Sequence, residues 1–156
     1  CVVDPEHSVF FDYYETGNCD LFCQTGSRIE GIGRQRAEPS FLPSLVDLMV
    51  QVPDCFSLAA MLYLEQVLGR RCGASTGTNM IGVIETIRRM RETGTSGSIV
   101  TLLCDSGERY QDTYFNPDWR KERGLDVGDA ERLVARFFES GNWPEGIARQ
   151  CVRGDC

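Results

Sequence analysis

The densest concentration of groups able to bind or react is Arg71-Cys-Gly-Ala-Ser75-Thr-Gly-Thr-Asn-Met80, where small residues run directly into an amphipathic pattern. Glycines there remove side-chain bulk, and Ser75 and Thr76 offer hydroxyls beside the amides that a helix N-terminus leaves unpaired. A serine in this position most often caps the helix, so the segment alone leaves cap and ligand both open. Asp105 and Ser106 follow the apolar run Ser98-Ile-Val-Thr-Leu-Leu103, at the strand end where open α/β sheets bind ligands. Gly31 and Gly33 punctuate a third polar stretch, as turn residues or as a close backbone approach. His7 is the single histidine and suits a surface turn, and Lys121, the single lysine, sits in the charged Trp119-Arg-Lys-Glu-Arg-Gly124 as a solvated side chain.

The eight cysteines do not have the spacing of a disulfide framework. Cys104, inside its apolar run, and Cys55, opening a helix, are expected to be small buried residues. Cys19 and Cys23 with Cys151 and Cys156 form an alternative four-thiolate zinc set, whose spacing is loose and lacks a turn glycine between Cys19 and Cys23. No metal ligand is assigned on this basis.

These groups need elements to hold them. The chain opens on Cys1-Val-Val-Asp-Pro, a short apolar strand closed by proline, and residues 7 to 36 read as glycine-punctuated loop around a possible site. Leu45 to Val52 suits a buried strand. The spacing of Leu58, Met61, Leu62, Leu64 and Leu68 predicts a helix over 55–68, with Asp54 capping its start and Gly69 supplying a left-handed end. A second helix is predicted over 76–92, with Arg88, Arg89 and Arg91 complementing its C-terminal dipole. The β-branched run 98–103 reads as a parallel-sheet strand covered on both faces, and a last amphipathic helix spans about 128–139. Tyr114, Phe115 and Trp119 cover the core in preference to forming a subunit contact. Strand, helix, helix, strand in this order indicates an α/β fold with a parallel-type sheet flanked by helices.

Composition limits the function. The chain has 156 residues, enough for one globular unit, and 23 acidic against 16 basic residues argue against nucleic acid as partner. No apolar run approaches the roughly 20 residues needed to cross a bilayer. A cytoplasmic protein acting on small molecules is expected.

The motifs then converge. Gly73-Ala-Ser75-Thr-Gly77-Thr-Asn, Ile29-Glu-Gly-Ile-Gly33 with Glu38-Pro-Ser-Phe-Leu-Pro43, and Val100-Thr-Leu-Leu-Cys-Asp-Ser-Gly-Glu-Arg-Tyr110 occur in that family's order and resemble the C-terminal part of cysteine synthases and cystathionine β-synthases, most of all actinobacterial cysteine desulfhydrases. The resemblance covers about residues 29 to 119. It implies a fold-type II pyridoxal-phosphate enzyme, similar to the β subunit of tryptophan synthase. Residues 1–127 would be the C-terminal portion of its catalytic domain, and 128–156 its C-terminal helix and tail. It implies that Ser75 contacts the cofactor's pyridine nitrogen, that Gly31 and Gly33 lie on the substrate side, and that Asp105 supports Ser75. The implied chemistry is β-elimination or β-replacement on cysteine, O-acetylserine or a related amino acid, in a homodimer. Where the family more often has proline, this chain has Cys104.

The family's Ser-x-Lys segment, which supplies the cofactor lysine, and its Gly-Thr-Gly-Gly-Thr phosphate loop do not occur in this sequence. The resemblance therefore implies a missing N-terminal half as partner, no catalytic residue within these 156, and inactivity in isolation. A non-catalytic binding or regulatory remnant of the same fold is the alternative.

Overall fold

A computed structural model describes residues 1–154. Its elements are β1 (Val2–Pro5), α1 (Phe10–Thr16), β2 (Leu48–Val52), α2 (Asp54–Leu68), α3 (Ala74–Thr93), α4 (Pro117–Glu122), α5 (Gly128–Ser140) and β3 (Arg149–Val152), with 3-10 turns at Pro43–Leu45 and Gly107–Tyr110. The strand order is β1-β2-β3, with β1 parallel and β3 antiparallel to β2. The α/β class agrees with the sequence reading, but the sheet is mixed and not parallel in type. The tail after α5 causes this by returning as an antiparallel edge strand.

Helices α2 and α3 form the frame. A Cβ on Gly77 would lie 1.9 Å from the Ser57 carbonyl oxygen and 2.8 Å from the Met61 nitrogen, so the two backbones meet where only glycine fits. One residue on, the buried Thr78 hydroxyl donates to Ser57 Oγ at 2.8 Å, giving the buried Ser57 hydroxyl a partner in the core. Leu58, Met61, Leu64, Ile81 and Ile84 pack around this crossing with Val50 and Val52 of β2. Gly82 of α3 lies under β1, where a Cβ would come within 2.3 Å of Val3 Cγ2. α5 adds Val134 and Phe137 to the same core.

Three local expectations are corrected. Residues 98–103 form no strand: no backbone hydrogen bond involves them among the described residues, and Val100 and Leu102 are 92% and 73% exposed. Apolar β-branched residues favour an extended backbone, but a strand also needs a neighbour, and none lies beside this run. Cys104 is consequently exposed, and Cys55 is half-buried. Asp54 does not cap α2; Pro53 takes that position in extended geometry, and Asp54 is the first helical residue with its carboxylate turned inward.

α1, the short α4 and β3 were not expected from the sequence pattern. α1 arises within the stretch read as loop because Phe10 stacks on Phe41 at 4.5 Å, Phe11 is fully buried, and the Phe11 amide donates to the buried Asp4 carboxylate at 3.1 Å. β3 is held by Glu85, a buried α3 carboxylate that accepts from Gln150 Nε2 at 2.6 Å and Trp143 Nε1 at 2.9 Å.

Other expectations agree. The second helix runs from Ala74 to Thr93 and the last from Gly128 to Ser140, and Gly69 closes α2 in the left-handed region. His7 is an exposed turn residue with positive φ, Tyr114 is buried, and Phe115 and Trp119 pack on the core. No helix among the described residues is long and apolar enough to cross a membrane.

Gly77→Ala tests the frame: overpacking at the crossing is expected to lower the unfolding free energy by about 2–3 kcal/mol in urea titrations. A loss below about 0.5 kcal/mol would mean the helices part easily there.

Candidate functional site

Ser75 lies in the first turn of α3, 8% exposed, and its hydroxyl has no hydrogen-bond partner among the described residues. The helix starts at Ala74 with Gly73 as N-cap and no side-chain cap, so Ser75 is not the capping serine. Its neighbour Thr76 is used internally, accepting the Cys104 amide at 3.0 Å.

The wall around Ser75 is built by lacing this turn to residues 104–110. The Gly73 amide donates to the Asp105 carbonyl at 3.0 Å, and Cys72 and Ser106 form an isolated antiparallel bridge. A Cβ on Gly73 would lie 1.9 Å from Asp105 Oδ1, so the carboxylate lies directly against the glycine. Tyr110 donates to the other Asp105 oxygen at 2.7 Å. Burial first, and then this hydrogen bond, push the Tyr110 phenol up, keeping it a protonated donor that holds Asp105 in place.

The loop holding Gly31 and Gly33 is fixed from the same side. The Tyr114 hydroxyl accepts the Glu30 amide at 2.9 Å and donates to the Arg28 carbonyl at 2.8 Å, and Tyr114 lies 5.0 Å from Tyr110 between ring centroids. Arg109 pairs with Glu30. Gly31 has φ +90° with open space about its missing side chain, whereas a Cβ on Gly33, at φ +80°, would strike Ser27 Cβ at 2.6 Å. Gly31 and Gly33 line a shallow cavity formed by residues 26–35, of which Ser75 and Asp105 are not part. The structure therefore joins the turn of Ser75 to Asp105 through Gly73, and to the glycine loop through the two tyrosines and the Arg109–Glu30 pair.

At the loop's other end Arg28 Nε meets the buried Asp54 Oδ2 at 3.0 Å and its Nη2 meets Glu6 at 3.1 Å, while Asp54 Oδ1 is buried without a hydrogen-bond partner among the described residues. Burial pushes the Asp54 carboxyl up to about 6, against the lowering effect of Arg28. Such a pair holds a loop in register more than it adds stability.

Sequence reasoning missed Arg28, Asp54, Tyr110 and Tyr114 as builders of the site. Tyr110 ends one of the motifs and Tyr114 was expected only to cover the core, and their partners are up to 86 residues away. Lys121 is exposed on α4. The zinc alternative finds no support among the described residues: no three potential ligands cluster, and Cys151 is disulfide-bonded. Cys156 lies outside the described residues.

No family model matches the chain. Among curated proteins it is 52% identical over 143 residues to the L-cysteine desulfhydrase of Mycobacterium tuberculosis, covering 92% of this chain and 39% of the relative. The chain belongs to the cysteine synthase and cystathionine β-synthase family. Cysteine synthase 1 of Neurospora crassa is 29% identical over 80% of this chain and 33% of its own length, and the cystathionine β-synthase of Dictyostelium discoideum 28% over 79% and 23%. The chain thus spans about two-fifths of the desulfhydrase and less of the other two.

The Asp54 anchor has a pH signature. Because its folded value is raised, its contribution to stability is present below about pH 4 and lost as the pH rises through about 6. Between these limits the wild type is expected to lose about 2 kcal/mol relative to Asp54→Asn, measured by urea melts at each pH. A constant difference would show that Asp54 is not held in this environment.

Proposed function

We propose that this chain forms one wall of a pyridoxal-phosphate site, with the Ser75 hydroxyl donating to the cofactor's pyridine nitrogen. The supporting observation is Ser75 in the first turn of α3, 8% exposed as a residue, with a hydroxyl that finds no hydrogen-bond partner among the described residues. The residues fit such a group: Gly73 lets Asp105 pack against the turn, Asp105 and Tyr110 fix it, and a neutral hydroxyl donates without forcing a proton onto the ring. When bound, the cofactor supplies the electron sink that lets a β-substituent leave once the substrate α-proton is gone. Ser75, by leaving the nitrogen uncharged, moderates that sink. Asp105 acts as a positioning residue through Gly73, and Gly31 and Gly33 present bare backbone on the substrate side.

The complete protein then acts on cysteine, O-acetylserine or a related amino acid by β-elimination or β-replacement, as a homodimer. The names of its relatives, an L-cysteine desulfhydrase and a cysteine synthase, support the cysteine chemistry in this reading. The proton-transferring lysine comes from outside this chain, because its single lysine, Lys121, is exposed on α4 beyond the turn that carries Ser75. That exposure also favours a second reading, a non-catalytic remnant that docks to an intact relative.

Two measurements decide. Borohydride reduction of the isolated chain with pyridoxal phosphate is expected to leave no specific adduct, and one at Lys121 overturns the assignment of the lysine elsewhere. Co-expressed with the unmatched part of the M. tuberculosis desulfhydrase, the chain is expected to restore cofactor absorbance and sulfide release. There Ser75→Asp should slow release at least about tenfold, about 1.4 kcal/mol of barrier, with absorbance retained. Unchanged turnover would reduce Ser75 to a helix residue, and absorbance without turnover would favour the second reading.

A further inference from the structure

Two thiols meet beside the turn of Ser75, on the two sides of a short pairing of extended chain. Cys72 and Ser106 face each other in an antiparallel bridge, framed by the Gly73 amide donating to the Asp105 carbonyl at 3.0 Å and the Gly107 amide donating to the Arg71 carbonyl at 3.3 Å. Cys104 stands two residues before Ser106, and alternation along the chain makes it the diagonal neighbour of Cys72, roughly 7 Å away. Thr76 joins the two: its hydroxyl accepts the Cys104 amide at 3.0 Å and also faces the Cys72 thiol. Asn79 Nδ2 donates to Cys104 Sγ at 3.5 Å, which holds that sulfur against α3. Both cysteines are free thiols, Cys72 buried and Cys104 exposed.

We propose that Cys72 and Cys104 are a redox-active dithiol that closes into an intramolecular disulfide, with a low-molecular-weight disulfide as oxidant. The exposed Cys104 thiolate attacks one sulfur of that oxidant, forming a mixed disulfide and releasing one thiolate. Cys72, its proton lost to solvent, then attacks Cys104 Sγ, forms the bond between the two cysteines and expels the second thiolate. The cysteines lose two electrons, and the oxidant gains them as two thiols. Burial pushes the Cys72 thiol up, so Cys72 resolves the mixed disulfide and does not start the reaction. Closing the bond needs the Cβ atoms about 3.8 Å apart, so one side moves by a few ångströms. The side free to move is 100–104, where no backbone-to-backbone hydrogen bond forms among the described residues. The side chains of Thr76 and Asn79 hold it through the Cys104 amide and the Leu102 carbonyl. The movement draws the Cys104 amide off Thr76, so oxidation alters the turn that carries Ser75. The inference uses this geometry alone and stands whether or not Ser75 binds a cofactor.

The test equilibrates the folded chain in mixtures of reduced and oxidised glutathione, quenches with acid, and maps cysteine pairs by mass spectrometry of unreduced digests. A linkage between Cys72 and Cys104 is expected as the main new disulfide. In urea, where short loops close more readily, it should fall at least about tenfold behind the pairing of Cys19 with Cys23. Cys72→Ala should leave glutathione trapped on Cys104, the mixed disulfide lasting at least about tenfold longer than in the wild type. Cys104→Ser, at an exposed position, should keep the fold and leave Cys72 reduced, so the comparison holds even if the buried replacement unfolds the chain. The proposal is overturned if both thiols stay reduced in oxidised glutathione, if Cys104 stays glutathionylated in the wild type, or if it pairs with another cysteine. Oxidation of Cys72 at the wild-type rate in Cys104→Ser, or equal formation of the linkage in urea, overturns it as well.

Discussion

The approach of α2 to α3 at Gly77 is the constraint on which the rest of the molecule depends. A missing side chain lets one helix rest on the Ser57 carbonyl of the other, and the Thr78 to Ser57 hydrogen bond keeps the contact dry and in register. Close packing of this kind tolerates little displacement, so the position of α3 is set to within a fraction of an ångström by the core and not by its own ends. Its first turn inherits that precision. Gly77 looked from sequence like part of a ligand-hugging loop, and its spatial role is to bring two helices together.

From that fixed turn the candidate site is assembled by borrowing. Gly73 accommodates Asp105, Tyr110 orients Asp105, and Tyr114 ties in the loop of Gly31 and Gly33. Arg28 anchors the loop's start on the buried Asp54, leaving one carboxylate oxygen unsatisfied. Thr76 and Ser75 divide the work of adjacent hydroxyls: one is spent on the Cys104 amide, the other is left over.

The run 98–103 shows local preference and tertiary context in disagreement. Its β-branched and leucine side chains favour an extended backbone, yet no backbone-to-backbone hydrogen bond forms there among the described residues.

The amino-acid pattern alone determined the α/β class, the three long helices, the central strand and the segments that carry the family likeness, because helical periodicity, glycine stops and short ordered motifs are local properties. It also determined that Lys121 is the one lysine and stands in a charged segment. Pairing lay beyond it. Whether the sheet is mixed, whether 98–103 finds a neighbour, whether Asp54 caps a helix or binds Arg28, and whether Ser75 is a cap or an unspent donor each depend on residues tens of positions away. Such contacts are set by how the helices pack, and no spacing along the chain encodes them.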